Sequence, residues 1–171
     1  MQRKNIRLPK TQYRSQRKYF ITLCCSKRSR FFARRELAES AIELFFDTAE
    51  KHEFAVLAYC FMPDHMHALV GRLAEKGDLL SFVMDYKRKT TVRLAEATGG
   101  ELWQKKFYDR ILRRNESAER AAAYILMNPV RGKLCETPGD YPFSGSIRAD
   151  WKKGVNADDA WIPPWKGREH V

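Results

Sequence analysis

The sequence predicts an α+β fold, a ferredoxin-like split βαβ sandwich. Its antiparallel sheet would carry helices on one face and be followed by one more, C-terminal helix. Three observations predict this. Apolar patterns of period two and period 3.6 succeed one another in the order strand, helix, strand, strand, helix, strand, helix. The two central strands are separated only by Pro63 and Asp64, a fixed φ followed by a turn-forming carboxylate, which makes them a hairpin. A long amphipathic helix lies on each side of that hairpin, the arrangement of two split βαβ units.

The elements follow in order. Lys18 to Cys25 (KYFITLCC) is aromatic and β-branched and predicts the first strand. About Ala33 to His52 predicts a helix with Leu37, Ala41, Leu44, Phe45 and Thr48 on one face. Phe54 to Met62 and His65 to Leu73 are the hairpin strands. About Leu79 to Thr98 predicts a second helix with Leu79, Val83, Tyr86, Thr90 and Leu94 on its stripe and Gly99-Gly100 as its stop. Phe107 to Leu112 predicts a fourth strand. Asn115 is placed to cap a third helix, about Glu116 to Met127, which Pro129 would end because the residue before proline avoids the helical region. From Cys135 the tryptophan, proline and glycine content rises (Trp151, Trp161, Pro163, Pro164, Trp165), predicting an irregular tail. The expected organisation is a basic arm at 1–16, a folded domain at 17–134 and a tail at 135–171.

A chain of 171 residues holds one ordinary domain with a real core. Its 44% hydrophobic and 12% aromatic content exclude a largely disordered chain. The net charge of +11 and pI near 9.7 point to a polyanion, nucleic acid first, although charge can also serve solubility alone. The first twenty residues carry Arg3, Lys4, Arg7, Lys10, Arg14, Arg17 and Lys18 with no acidic residue, interleaved with Tyr13, Tyr19 and Phe20. No apolar run follows, so this reads as an arm and not a signal peptide. No stretch approaches the roughly 20 apolar residues of a membrane span, which predicts a soluble protein. Neighbouring Cys24 and Cys25 would point to opposite faces of a strand, and with Cys60 and Cys135 they suit reduced, packed thiols in a cytoplasm.

Two constellations carry chemistry. His65 and His67 flank Met66 in an apolar strand, so the period of two sends both imidazoles to one face, where they argue for a metal without saying which. Tyr124 and Asn128 are four residues apart on the third helix and share a face. Taken alone, each also reads as an ordinary residue: Tyr124 as half-buried packing, Asn128 as a helix C-terminal residue.

Together these residues resemble the HUH single-strand endonucleases (His, bulky hydrophobic, His) and, within them, the single-tyrosine transposases of the REP-associated branch. The resemblance rests on FMPDHMHALV at Phe61 to Val70, WQKKFYDRILR at Trp103 to Arg113 and AAAYILMNPVRGKL at Ala121 to Leu134, with DYPFSGS at Asp140 to Ser146 in weaker support. It covers about Arg17 to Ser146. It implies His65 and His67 as metal ligands, Tyr124 as nucleophile and Asn128 as a third, amide ligand; relatives outside this branch use glutamine at that last place. Tyr108 is the rival nucleophile, but it has no amide four residues on.

The chemistry so implied uses Mg²⁺ or Mn²⁺ as a Lewis acid on a scissile phosphate that Tyr124 attacks, leaving a covalent 5′-phosphotyrosine and a free 3′-OH. A second 3′-OH can reverse the step, which makes the enzyme a strand transferase. The implied partner is single-stranded or hairpin DNA of the repetitive extragenic palindromic (REP) type, bound by a monomer or homodimer, with no membrane involved. The basic arm (Arg3, Lys4, Arg7, Lys10, Arg14) and the cluster Lys87, Arg88, Lys89 and Arg93 are the candidate phosphate contacts, the latter also readable as a solvated helix face. Two other readings stand beside this one. One is a catalytically inactive hairpin DNA- or RNA-binding protein. The other is a zinc hydrolase, which would need further ligands that His52 and His170 are poorly placed to supply.

Overall fold

The computed structural model describes residues 17–73, 77–113 and 116–147, and the architecture is the expected α+β sandwich. Strand β1 (Lys18–Cys24) leads through two short 3₁₀ turns into helix α1 (Arg35–Lys51), and β2 (Phe54–Met62) and β3 (His65–Arg72) form the hairpin across Pro63-Asp64. Helix α2 (Leu79–Arg93) and a single turn α3 (Ala95–Thr98) precede β4 (Tyr108–Ile111). Helix α4 (Ala118–Leu126), the turn α5 (Asn128–Arg131) and strand β5 (Ser144–Ser146) complete the described chain.

The sheet is antiparallel throughout, in the order β4-β1-β3-β2-β5. Its first four strands have the 4-1-3-2 arrangement of the split βαβ fold; β5 adds an edge that the sequence did not reveal. The stretch after Cys135, expected to be irregular, therefore packs back on the domain over its first part. Tyr141 Oη donates to the carbonyl of Phe61 at 2.7 Å and the Phe61 N–H to the carbonyl of Phe143 at 2.8 Å. Residues 148–171 lie outside the described residues, as does the basic arm with Arg3, Lys4, Arg7, Lys10 and Arg14.

Helices α1 and α2 cover one face. Phe45 of α1 is fully buried among Phe61, Phe82 and Tyr86, with ring centroids 6.3, 5.6 and 5.1 Å away. Truncating such a ring costs about 3–5 kcal/mol. Two polar groups sealed in this layer find partners: Tyr86 Oη donates to the carbonyl of Ala41 at 3.1 Å, and Trp103 Nε1 to Thr90 Oγ1 at 2.8 Å. The guanidinium of Arg72, buried beside Phe54, has none among the described residues.

Helix α4 lies on the opposite face. In the β1–β3 register Phe20, Thr22 and Cys24 pair with Leu69, His67 and His65, so these six share one side, and Tyr124 of α4 packs on Phe20 there. A register shift at Leu57 of β2 sets the phase on that side. Before it, Val56 pairs with Val70 and faces α1; after it, Ala58, Cys60 and Met62 pair with Leu69, His67 and His65 beneath α4. The Leu57 carbonyl accepts from the Ile147 N–H at 3.2 Å and Ser146 Oγ at 3.0 Å.

Three local expectations change. The second helix breaks at Leu94 (φ −106°, ψ 13°) instead of running to Thr98. The break follows the β-branched run Thr90-Thr91-Val92, where Thr90 Oγ1 bonds back to the Tyr86 carbonyl at 2.8 Å. The cap of α4 is Ser117, whose hydroxyl accepts from the Arg120 N–H at 3.2 Å; Asn115 lies outside the described residues. Pro129 does not end the helical region. It sits in the first turn of α5, where a missing N–H costs nothing, after the chain has left α4 at Met127.

Candidate active site

His65 and His67 emerge from β3 on the α4 side of the sheet, their ring centroids 4.8 Å apart. Each uses Nδ1 for orientation. Thr22 Oγ1, from the strand beside it, lies 2.7 Å from His67 Nδ1, and Asp64 Oδ1, from the hairpin turn, lies 2.6 Å from His65 Nδ1. Each ring can then present only Nε2 to an ion, the pattern in which outer groups set the tautomer of a ligand. The other oxygen of Asp64 meets Arg28 at 3.3 Å. Burial pushes His65 below the usual imidazole pKa, against the pull of Asp64, which keeps it neutral and able to ligate near pH 7. Burial also pushes Asp64 upward, but its bond to His65 and the nearby positive charges prevail and hold it below the usual carboxylate value.

Tyr124 reaches this face because α4 is built from AERAAAYIL, whose buried Ala121, Ala122 and Ala123 let the helix lie close to the strands. Its ring is 6.0 Å from Phe20 and 6.3 Å from His67, centroid to centroid. The Arg131 guanidinium stands over the same ring at 4.2 Å and also donates to the Tyr124 carbonyl. Burial raises the Tyr124 phenol above its ordinary pKa, opposed by Arg131. The Asn128 amide nitrogen donates to the carbonyls of Tyr124 at 3.0 Å and Ile125 at 3.1 Å. With its nitrogen so engaged, the amide has its oxygen left to act as a ligand. The α5 turn sits at the right end of the sheet: a Cβ at Gly132 would stand 2.9 Å from Met62 Cε, and Met62 is the register partner of His65.

The structure thus brings His65, His67 and Tyr124 together, with Asn128 on the adjoining turn. Tyr108, the rival nucleophile, is also near, since β4 pairs it with Thr22, itself the partner of His67. It is 39% exposed, and burial of the remainder pushes its phenol up to about 12. The Lys87 cluster is elsewhere, on the helix covering the opposite face. Lys87 Nζ donates to the carbonyls of Gln104 and Lys105 at 2.6 and 3.1 Å, Arg88 and Lys89 pair with Asp85 at 2.7 and 3.7 Å, and Arg93 is exposed in the last turn of α2. His52 also pairs with Asp85, at 3.1 Å.

Sequence reasoning missed Thr22, Asp64 and Arg131. Asp64 was legible only as a turn residue, though its place directly before His65 was a signal. Thr22 becomes visible only with the β1–β3 register. Among the described residues no three His, Cys, Asp or Glu side chains are arranged to hold a metal ion, so an ion held by His65 and His67 would take its other ligands from an amide, water or substrate. That donor set suits a hard divalent ion with open positions better than a closed zinc site. All four cysteines are free thiols, and no described helix is long and apolar enough to cross a membrane.

Comparison with known proteins identifies the family and the fold. The profile of the family described as "Transposase IS200 like" matches residues 13–128. A Haemophilus influenzae protein assigned as a REP-associated tyrosine transposase is 26% identical over 153 residues, covering 82% of this chain and 85% of its own. The REP-associated tyrosine transposase of Escherichia coli is 27% identical over 103 residues, 60% of this chain and 59% of its own. Among solved structures, a REP-associated tyrosine transposase bound to a REP hairpin superposes with a TM-score of 0.68 over 88% of both chains at 21% identity, a likeness of fold. With two thirds of its length matched by that one profile, the chain belongs to the IS200-like transposase family and is a DNA transposase.

Proposed function

We propose that this transposase cuts and rejoins single-stranded DNA beside a hairpin, with Tyr124 as nucleophile and a divalent ion on His65, His67 and Asn128. The observation that carries the reading is the placement of the Tyr124 ring against His67, on the sheet face that holds both histidines.

The step balances simply. Tyr124 Oη forms a bond to phosphorus, the P–O3′ bond breaks, the phenol proton leaves to solvent or a neighbouring base, and the departing oxygen becomes a 3′-OH. A 3′-OH from another strand attacks the phosphotyrosine, and the phenol is released. Mg²⁺ or Mn²⁺, when bound, would polarise the phosphate oxygens. The chain's own part is to orient two imidazoles by their Nδ1 atoms, to fix the Asn128 amide on the α4 terminus and to confine the phenol between Phe20, His67 and Arg131. The names of its relatives, one of them bound to a REP hairpin, support a hairpin of that kind as substrate.

The test is a denaturing gel of the protein with end-labelled hairpin oligonucleotides, with Mg²⁺, with Mn²⁺ and with EDTA. A metal-dependent covalent adduct lost in Tyr124→Phe is expected. Binding without any adduct would favour the non-catalytic hairpin-binding reading instead.

A further inference from the structure

We propose that the single strand entering the active site is held by a basic rim at the His65 end of the sheet, formed by Lys27, Arg28 and Arg30 from one loop and Lys105 and Lys106 from another. The inference rests on the reading that single-stranded DNA is the substrate of this site, and it adds where the strand's phosphates lie.

The rim is built onto the site. Residue 25 donates its N–H to the Asp64 carbonyl at 2.9 Å, and the N–H of Phe32 reaches the Pro63 carbonyl at 3.0 Å, so the 26–30 loop is stitched to the turn that carries Asp64. The second loop is stitched to the first: Ser26 N–H to Leu102 O at 2.9 Å, Gln104 N–H to Cys24 O at 2.9 Å, and Gln104 Nε2 to Cys25 O at 3.2 Å. Lys87 fixes the carbonyls of Gln104 and Lys105 from behind. Arg28 reaches Asp64, which holds His65. Lys105 and Lys106 fall between Trp103, bridged to Cys25, and Tyr108, two strands away from His67; two strand spacings amount to about 10 Å.

All five cations are exposed, and the backbone presenting two of them is strained. Lys27 and Arg28 have φ of 51° and 57°, the left-handed region that side chains other than glycine rarely occupy. The acids nearby do not cancel the rim. Asp64 is shared between His65 and Arg28 and offsets Arg28 alone, and Glu101 stands 3.9 Å from Lys27 with both side chains largely in water, where the pair is screened. The α2 cluster is the reverse case. Lys51, His52, Arg88 and Lys89 converge on the single carboxylate of Asp85, and their helix covers the far face of the sheet. A polyanionic strand gains most where fixed positive charge is uncompensated and borders the metal-binding histidines.

The test compares two full-length variants for binding a labelled single-stranded oligonucleotide in EDTA, so that no cleavage intrudes. One replaces Lys27, Arg30, Lys105 and Lys106 with alanine, leaving Arg28 in place because it supports Asp64; the other replaces Arg88, Lys89 and Arg93 with glutamine. Four phosphate contacts at about 0.7 each give a difference in salt slope of about 2.8, so between about 50 and about 200 mM salt the wild type should lose about 50-fold more affinity than the rim variant. The α2 variant should keep the wild-type slope. A rim variant that is folded by circular dichroism yet keeps the wild-type slope overturns the proposal, as does an α2 variant that loses as much. Should the rim slopes fall while no covalent adduct ever forms, the rim stands and the catalytic reading fails; adduct formation with unchanged slopes means the opposite.

Discussion

Thr22 and His67 are register partners on adjacent strands, and the threonine hydroxyl lies 2.7 Å from the histidine Nδ1. By occupying Nδ1, this contact leaves Nε2 as the ring nitrogen able to meet an ion. Thr22→Val keeps the shape and the β-branched backbone preference but removes the hydroxyl. Metal affinity should fall about 10–100-fold, the usual cost of deleting an outer-shell partner. Titration of adduct formation with Mn²⁺ measures it, and Thr22→Ser should restore most of the loss. An unchanged Mn²⁺ midpoint in the valine variant would show that the hydroxyl does not orient His67.

Tyr124→Phe should abolish the covalent adduct and leave oligonucleotide affinity within a few-fold of wild type, since only a hydroxyl is lost. Tyr108→Phe, on the neighbouring edge strand, should still form the adduct. The reverse pattern would transfer the nucleophile to Tyr108, whose row on the sheet makes it the natural rival.

Asp85 offers a pH test away from the site. The hydrogen bond from His52, followed by that from Lys51, holds its carboxyl well below the usual range, against the smaller effect of burial. A group depressed in the folded state contributes stability above its unfolded pKa, near 4, and that contribution is lost as pH falls below it. Asp85→Asn should lower stability at neutral pH by about 1 kcal/mol, a modest figure because three of its four partners keep one end in water. The variant should also lose less stability than wild type between about pH 4 and pH 2. Urea denaturation at a series of pH values checks both, and parallel curves would refute the assignment.

Deleting residues 1–16 removes five positive charges, Arg3, Lys4, Arg7, Lys10 and Arg14, before the first strand begins. The truncated chain should melt within a few degrees of the full one yet bind DNA with a shallower salt dependence, by up to about 3.5 in slope at about 0.7 per contact. Equal slopes with and without the arm would leave all phosphate contacts to the folded domain.

Element order, the hairpin at Pro63-Asp64, both core stripes and the His65/His67 pair were legible in the sequence, because each is a local property of period, propensity or turn chemistry. Tyr124 and Asn128 were legible only as spacing together with a family resemblance. The misread elements share a cause. Ser117, Leu94 and Pro129 stand where several local choices have similar free energy, so packing decides among them.

What the sequence determined by itself was therefore which residues face together along one strand or one helix. What only the tertiary structure decided was which faces meet. The register shift at Leu57 turns Cys60 and Met62 beneath His67 and His65 and sends Phe61 to the α1 side, and an uninterrupted alternation from Phe54 would have done the opposite. Strand β5 makes that edge complete by satisfying the Leu57 carbonyl. Thr22 at His67, Asp64 at His65 and Arg131 over Tyr124 are likewise products of register and docking. Hydrogen bonds and ring contacts between residues 45 positions apart in the chain, as Thr22 and His67 are, leave no periodic trace in the sequence, since pairing free energy is spread over a whole strand interface.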